Sequence, residues 1–152
     1  TKTGVRTFEA AAFLRRCGAD VTRVRKMFRE HVEDYRAKGE AIRNAELFRE
    51  HFAISVCPSE GLDSPTVVGA QAANELLNII GVKASFVLTD YRNTIYISAR
   101  SIDEINVQIV MERLGGGGHL NIAGAQLEHY SITEAKDVLK QTLQKMLDEG
   151  DI

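Results

Sequence analysis

The spacing of apolar residues predicts two helical segments in the first part of the chain. Thr7 is placed to cap a first helix that runs to Arg16, and Gly18 is placed to end it. Asp20 is placed to cap a second helix, in which apolar residues recur at intervals of three and four. These residues are Val21, Val24, Phe28, Val32 and Tyr35. The stripe is too narrow to fold convincingly alone, so we interpret residues 1–50 as a helical linker or docking arm.

From residue 51 onward, strand-like and helix-like segments alternate. Helices are predicted from Ser64 to about Ile80, from Asp103 to Leu114, and from Ser131, which has capping-box spacing to Glu134. Strands are predicted at 52–57, 83–89, 94–100 and around 125–128, with a hairpin turn at 90–93. The fold predicted for residues 51–152 is therefore α/β, a mixed β-sheet with helices packed on it, preceded by the helical arm.

Composition and charge narrow the class of protein. The chain has 152 residues, 44% of them hydrophobic and 26% charged, with a formal net charge of −2. These values are ordinary for a globular protein and exclude a globally basic nucleic-acid binder, although a local basic groove stays open. No apolar run has the length of a membrane-spanning helix. The chain begins with Thr1 rather than Met, which suggests a piece of a longer protein.

The two cysteines indicate a reducing compartment rather than a disulfide. Cys17 and Cys57 lack the CxxC spacing, and lone thiols are typical of cytosolic proteins. Cys57 ends a predicted core strand, so we interpret it as a buried thiol rather than a nucleophile.

The strand predicted at 94–100 offers the first candidate for binding chemistry. Its residues alternate, so Ser98 and Arg100 point to the same side near the carboxyl end of the strand. A guanidinium and a hydroxyl suit a phosphate. Taken alone, this pattern favours an exposed strand face over a binding site.

A run of four glycines, Gly115 to Gly118, followed by His119, changes that balance. Ordering four glycines is costly, and the run can supply successive N–H groups close to an anion because no Cβ intervenes. A flexible linker is the alternative. His119 stands in no metal-binding motif, so we interpret it as a hydrogen-bond donor to a phosphate or a base. Asn106 and Gln108 are either readers of polar edges or solvent-exposed residues.

Several stretches together resemble a known domain. They are residues 96–101, 105–108, 114–119 and 123–127, and they resemble the C-terminal accessory (DHHA) domain of the DHH (Asp-His-His) phosphoesterase superfamily. Within it, the sequence most resembles the GdpP-type cyclic di-AMP phosphodiesterases. Residues 3–11 are similar to the segment that joins the catalytic DHH domain of those enzymes to the accessory domain. Ile122-Ala123 departs from the Ala-Ala that such sequences often carry after the loop.

The resemblance implies a division of labour between two domains. The DHH domain of such enzymes holds two metal ions, usually manganese, and hydrolyses cyclic di-AMP to the linear dinucleotide pApA; its motif is not in these 152 residues. We therefore expect no catalytic residue, metal site or cofactor here, and an isolated chain that binds the nucleotide weakly, if at all, and does not hydrolyse it. The accessory domain of such enzymes holds the substrate. That role would fall on Ser98, Arg100, Ser101, Asn106, Gly115, Gly116, Gly117, Gly118 and His119.

The expected partners are a short nucleotide, cyclic di-AMP above all, and the protein's own DHH domain. We expect a cytoplasmic domain without direct membrane contact, and leave homodimerisation and membrane anchoring of the parent protein open. Two alternatives to the cyclic di-AMP assignment remain. One is the accessory domain of a nanoRNase or single-strand exonuclease, and the other is a non-catalytic module that binds nucleic acid or a nucleotide.

Overall fold

The computed structural model describes residues 3–102 and 104–152, and the chain divides into two compact units, the first ending at His31 and the second beginning at Val32. The first unit contains helices α1 (Val5–Arg16) and α2 (Val21–Met27). Asp20 caps α2 as predicted, because its carboxylate accepts the backbone N–H groups of Thr22 and Arg23 at 2.8 and 3.4 Å. No described helix is both long and apolar enough to cross a bilayer.

Two of the predicted helix boundaries in this region are wrong. The first helix starts after Gly4 rather than at Thr7. The second ends at Met27 instead of continuing through Tyr35, because the N–H groups of Phe28 and Arg29 turn back to carbonyls three residues earlier. The predicted apolar stripe is consequently divided between two helices, and all of its residues are exposed within the described structure.

The second unit is built on a six-stranded sheet. Its elements are α3 (Val32–Arg43), β1 (Glu46–Phe48), β2 (Phe52–Val56), α4 (Pro65–Leu76), β3 (Ala84–Tyr91), β4 (Thr94–Ser101), α5 (Val107–Arg113), β5 (Gly117–His119), β6 (Ile122–Glu128) and α6 (Ile132–Glu149). The strand order is β1-β2-β3-β4-β6-β5. Among the strands that the structure describes, β2 and β3 run parallel and are joined through α4, and the remaining pairs are antiparallel. The predicted α/β fold with a mixed sheet is confirmed.

The two faces of the sheet are covered differently. On the first face, Phe86, Leu88 and Ile97 pack with residues of α5 and α6 such as Met111 and Leu139 in the larger apolar core. On the second face, α3 and α4 cover strands β2 and β3 through a smaller apolar cluster. Among the described residues, no buried member of this cluster belongs to β4, β5 or β6. The half of the second face formed by β4, β6 and β5 is therefore left open.

Buried hydroxyls fix the two covering helices on the sheet. Ser85 of β3 donates to the carbonyl oxygen of Ala73 in α4 at 2.6 Å, and Ser55 of β2 donates to the carbonyl oxygen of Ala41 in α3. Each hydroxyl donates to a helix carbonyl, which offsets the cost of burying a polar group. The position of α4 relative to β3 and β4 is consequently well defined.

Several predicted boundaries in this unit also differ from the structure. The second compact unit begins at Val32, because α3 packs on α4 and β1 pairs with β2, and the predicted division into an arm (residues 1–50) and a second domain (residues 51–152) stays a prediction. Helix α4 ends at Leu76, before the predicted Ile80, and α5 starts at Val107, with Asn106 as its cap. Asp103, the predicted cap, lies outside the described residues.

Other local predictions are confirmed. Arg92 and Asn93 form the turn between β3 and β4, both with positive φ angles of 54° and 61°, as a tight hairpin turn requires. Ser131 and Glu134 form the capping box at the start of α6.

Candidate functional site

The open half of the second face carries a cleft of about 500 Å³. Thr66, in the first turn of α4, lines one side of it, and the segment 115–117 lines another. The remaining lining residues belong to β4 and β6 and are Tyr96, Ile97, Ser98, Gly124, Ala125 and Gln126. The cleft exists because α4 covers β2 and β3 and leaves β4 and β6 accessible on this side.

Register brings four of the nine predicted site residues into two adjacent rows across the sheet. Gly117 pairs with Gly124, which pairs with Ser98 on its other side. Residues directly opposite each other in antiparallel strands share a face, so this row lies in the cleft. The next row on the same face contains His119, Ile122 and Arg100. His119 and Arg100 are therefore two strands apart, about 9–10 Å between backbones, with Ile122 between them.

Two of the four glycines end helix α5 instead of forming the predicted anion-binding loop. Gly115 adopts a φ of +78° after α5, and the N–H groups of Gly115 and Gly116 donate to the carbonyls of Glu112 and Met111 at 3.0 and 2.8 Å. This is a Schellman ending, which uses two of the four N–H groups expected for an anion. Gly117 and Gly118 belong to edge strand β5 rather than to a loop.

Close backbone packing explains two of the glycines. A Cβ at Gly116 would stand 2.6 Å from Ala125 Cα, and a Cβ at Gly118 would stand 2.5 Å from Ala123 Cα. A Cβ at Gly117 would meet nothing within 4 Å. The fold therefore explains the glycines at 115, 116 and 118, but not the glycine at 117.

Arg100 lies on the cleft face but is not part of the cleft lining. Its Nε donates to Oδ1 of Asn74 at 3.1 Å, and its Nη1 donates to the Ala99 carbonyl at 2.9 Å. Partial burial lowers the pKa of the Arg100 guanidinium from its ordinary value, because a charge is disfavoured away from water. An arginine titrates so far above neutrality that this side chain stays charged at pH 7.

Ser101 and Asn106 do not enter the cleft. Ser101 is 7% exposed and points to the opposite face from Arg100, where its hydroxyl donates to the Leu120 carbonyl at 3.4 Å. Asn106 accepts the N–H of Gln108 at 3.0 Å and so caps α5. The Leu120 carbonyl also accepts the N–H of Val107 at 3.0 Å. These contacts hold the turn that links His119 to β6, so Ser101 and the start of α5 support the site from behind.

Sequence reasoning missed Thr66, Tyr96, Gly124 and Gln126. Tyr96 and Gln126 have a local signal, because strand alternation places Tyr96 on the side of Ser98 and pairs it with Gln126. The Tyr96 ring also contacts the Tyr91 ring, with 6.5 Å between centroids. Thr66 has no such signal, since only the packing of α4 brings it to the cleft.

The described residues offer neither a metal-binding cluster nor, at Cys57, a reactive thiol. Residues 3–102 and 104–152 contain no group of three His, Cys, Asp or Glu side chains placed to hold a metal ion. The Cys57 thiol is buried, and burial, aided by the negative charge of Glu40, raises its pKa to about 11. A thiol in this environment is a poor nucleophile at neutral pH.

Comparison with known proteins identifies a matching domain family and similar phosphodiesterases. The DHHA1 domain model matches residues 51–146. The cyclic-di-AMP phosphodiesterase GdpP of Geobacillus thermodenitrificans is 40% identical over 150 residues, which is 98% of this chain and 23% of that protein. The cyclic-di-AMP phosphodiesterase PdeA of Listeria monocytogenes is 41% identical over 139 residues, which is 91% of this chain and 21% of that protein.

A solved structure supports the fold. An exopolyphosphatase-related protein from Bacteroides fragilis superimposes with a TM-score of 0.81 at 22% identity, covering 95% of this chain and 44% of that one. The chain spans less than a quarter of the curated relatives it matches. On the family match and on the identity across nearly its whole length, this chain belongs to the DHHA1 domain family and is homologous to part of the phosphodiesterases GdpP and PdeA.

Proposed function

We propose that this chain binds the substrate of a cyclic di-AMP phosphodiesterase, and that hydrolysis to linear pApA takes place on an Asp-His-His domain outside the chain. Membership of the DHHA1 family and the identity with GdpP and PdeA support this proposal. The observation that carries it is the row of Gly117, Gly124 and Ser98 in the cleft, with Arg100 and His119 in the adjacent row.

Arg100 and the glycine row would hold one phosphate of the dinucleotide. The guanidinium supplies a full positive charge and charge-assisted hydrogen bonds. The absence of a Cβ at Gly117 and Gly124 allows an anion to approach the backbone closely, and the Ser98 hydroxyl adds one donor in the same row. His119 is placed beyond Ile122 to donate to that phosphate or to a base.

Tyr96 would contact a nucleobase. It is the aromatic side chain among the described cleft residues, and every base offers a π-face to such a ring. Thr66 and Gln126 add hydroxyl and amide groups that can hydrogen-bond to a base edge. A cleft of about 500 Å³ is within the usual size range for small-molecule sites.

The role of these residues in the reaction is to position the substrate. Fixing one phosphate and one base restricts where the second phosphate can lie, which lowers the entropic cost of bringing it to a catalytic centre. The two manganese ions that the resemblance implies would be held by the other domain. The described residues of this chain offer no metal ligand set, so no step is assigned to a metal here.

Titration of the chain with cyclic di-AMP, followed by NMR, tests the proposal. We expect signals of Ser98, Tyr96 and Gly117 to shift. Arg100→Ala should weaken binding about 10- to 150-fold, because hydrogen bonds to a charged group contribute about 1.5–3 kcal/mol. Arg36→Ala is the matched control, since Arg36 is an exposed residue of α3, a helix that contributes no residue to the cleft lining or to the hydrogen bonds of Arg100, and it should leave affinity unchanged.

Two results would contradict the proposal. Unchanged affinity in Arg100→Ala would remove the phosphate assignment. Hydrolysis of cyclic di-AMP by the chain alone, with added manganese, would contradict the division between binding here and catalysis elsewhere.

A further inference from the structure

We propose that Asn74 is a positioning residue that orients the Arg100 guanidinium for the substrate phosphate. This inference rests on the proposed function, because it assigns a role to Asn74 only if Arg100 binds the ligand. Asn74 lies in α4, 26 residues before Arg100 in the chain, and no sequence pattern connects the two residues.

The hydrogen bonds of Arg100 define which edge of its guanidinium is available. Nε is engaged by Asn74 Oδ1, and Nη1 by the carbonyl of Ala99. No described residue accepts a hydrogen bond from Nη2. The end of the guanidinium that carries Nη2 and the second hydrogen of Nη1 is therefore the edge left for an anion, and this edge can form two parallel hydrogen bonds to a phosphate.

The contact with Asn74 decides this orientation. The stem of arginine has several rotatable bonds, so a guanidinium held by one backbone carbonyl can still rotate. An acceptor at Nε fixes the plane of the group. Without this acceptor, the Nε–H group would compete with the free edge for the phosphate. Ligand binding would then carry the entropic cost of ordering the side chain.

Helix α4 places Asn74 reliably at this point. The preceding residue, Ala73, is buried, and its carbonyl accepts the hydroxyl of Ser85 on β3 at 2.6 Å. Ser85 pairs with Arg100 across the β3–β4 ladder. Ser85, the residue paired with Arg100, thus also fixes the turn of α4 that carries Asn74.

A double-mutant cycle with cyclic di-AMP as ligand tests the inference on the 152-residue chain. We expect Asn74→Ala to weaken binding about three- to tenfold in the wild-type background and to have no effect in Arg100→Ala. Asn74→Asp retains the acceptor, so it should keep the orientation of Arg100. Asn78→Ala is the matched control, since Asn78 is an exposed asparagine just beyond α4 that bonds Glu75 instead.

A second readout does not depend on ligand. The Nε–H resonance of Arg100 should move in Asn74→Ala, and should stay closer to its wild-type position in Asn74→Asp and unchanged in Asn78→Ala. Melting temperature should be the same in all three variants, because the side chain of Asn74 is exposed.

The outcomes separate this inference from the proposed function. If Arg100→Ala leaves affinity unchanged, the proposed function fails. If Arg100→Ala weakens binding while Asn74→Ala does not, the positioning role is overturned and the proposed function stands. An equal loss from Asn74→Ala in both backgrounds would show a role that does not act through Arg100, and would overturn the inference as well.

Discussion

Gly116 packs so closely on β6 that a Cβ at this position would overlap the carbonyl oxygen of Gly124 and stand 2.6 Å from Ala125 Cα. Both neighbours are backbone atoms of a strand that is paired on both sides, so they cannot move aside cheaply. We expect Gly116→Ala to lower the free energy of unfolding by about 1–3 kcal/mol. Urea unfolding followed by circular dichroism measures the loss.

Gly117→Ala is the companion experiment because it separates folding from binding. A Cβ there meets nothing within 4 Å, and the backbone is not in the left-handed region, so stability should change by less than about 0.5 kcal/mol. The same Cβ projects where the proposed phosphate approaches, and cyclic di-AMP binding should weaken. Intact binding in Gly117→Ala would place the anion elsewhere.

Replacement of Tyr96 tests the base contact. Tyr96→Ala removes the ring that lines the cleft, and base–aromatic stacking contributes about 1–3 kcal/mol, so the dissociation constant for cyclic di-AMP should rise about 5- to 150-fold. Tyr96→Phe retains the ring and should stay within about threefold of wild type. Isothermal titration calorimetry measures both.

Tyr35→Ala controls for the general loss of an exposed tyrosine, because Tyr35 lies on α3 and outside the cleft. A similar loss of affinity in Tyr96→Phe and Tyr96→Ala would contradict stacking and would indicate a hydrogen bond from the phenol.

Local signals in the sequence were sufficient for much of the fold. The capping box of Ser131 and Glu134, the turn at Arg92-Asn93 and the alternation along β4 depend on neighbours within a few residues, and all three predictions are confirmed. The predicted helix from Asp20 through Tyr35 failed, since a stripe of apolar residues does not show where one compact unit ends and the next begins.

The site was less predictable, because its parts meet only through packing. The glycine run indicated a phosphate loop, yet Gly115 and Gly116 end α5 by a motif that any helix can use. A sequence of four glycines does not distinguish a turn, a close backbone contact and an anion site from one another. Thr66 and Asn74 reach the site because α4 packs on β3, and that relationship has no local signature.

The two cysteines should differ in reactivity towards alkylation. Cys17 is exposed, whereas Cys57 is 1% exposed and burial raises its pKa to about 11. At neutral pH, iodoacetamide should label Cys17 in the native chain and reach Cys57 only after denaturation. Peptide mass spectrometry before and after guanidinium treatment measures this. Labelling of Cys57 in native Cys17→Ser at the rate seen in the denatured chain would contradict the buried environment.

The contacts of Glu46 with two lysines should make the stability of the fold depend on pH in the acid range. Its Oε1 lies 3.0 Å from Lys136 Nζ and 2.8 Å from Lys140 Nζ, joining β1 to α6. Burial raises the pKa of this carboxyl, but the hydrogen bonds and charges of the two lysines outweigh burial and lower it below the ordinary 4.5. A carboxyl with a lowered pKa in the folded state stabilises the fold fully above its unfolded pKa, and this contribution is lost as the pH falls through the folded value.

Glu46→Gln should therefore be less stable than wild type at pH 7, and the difference should shrink as the pH falls below 4.5. The side chain is 38% exposed, so solvent screening limits the difference to less than about 1 kcal/mol. Urea unfolding at a series of pH values measures it, with Glu60→Gln, a change at an exposed turn position, as the control. If the stability difference between Glu46→Gln and wild type stayed constant well below pH 4.5, the lysine contacts would not act through the charge of Glu46.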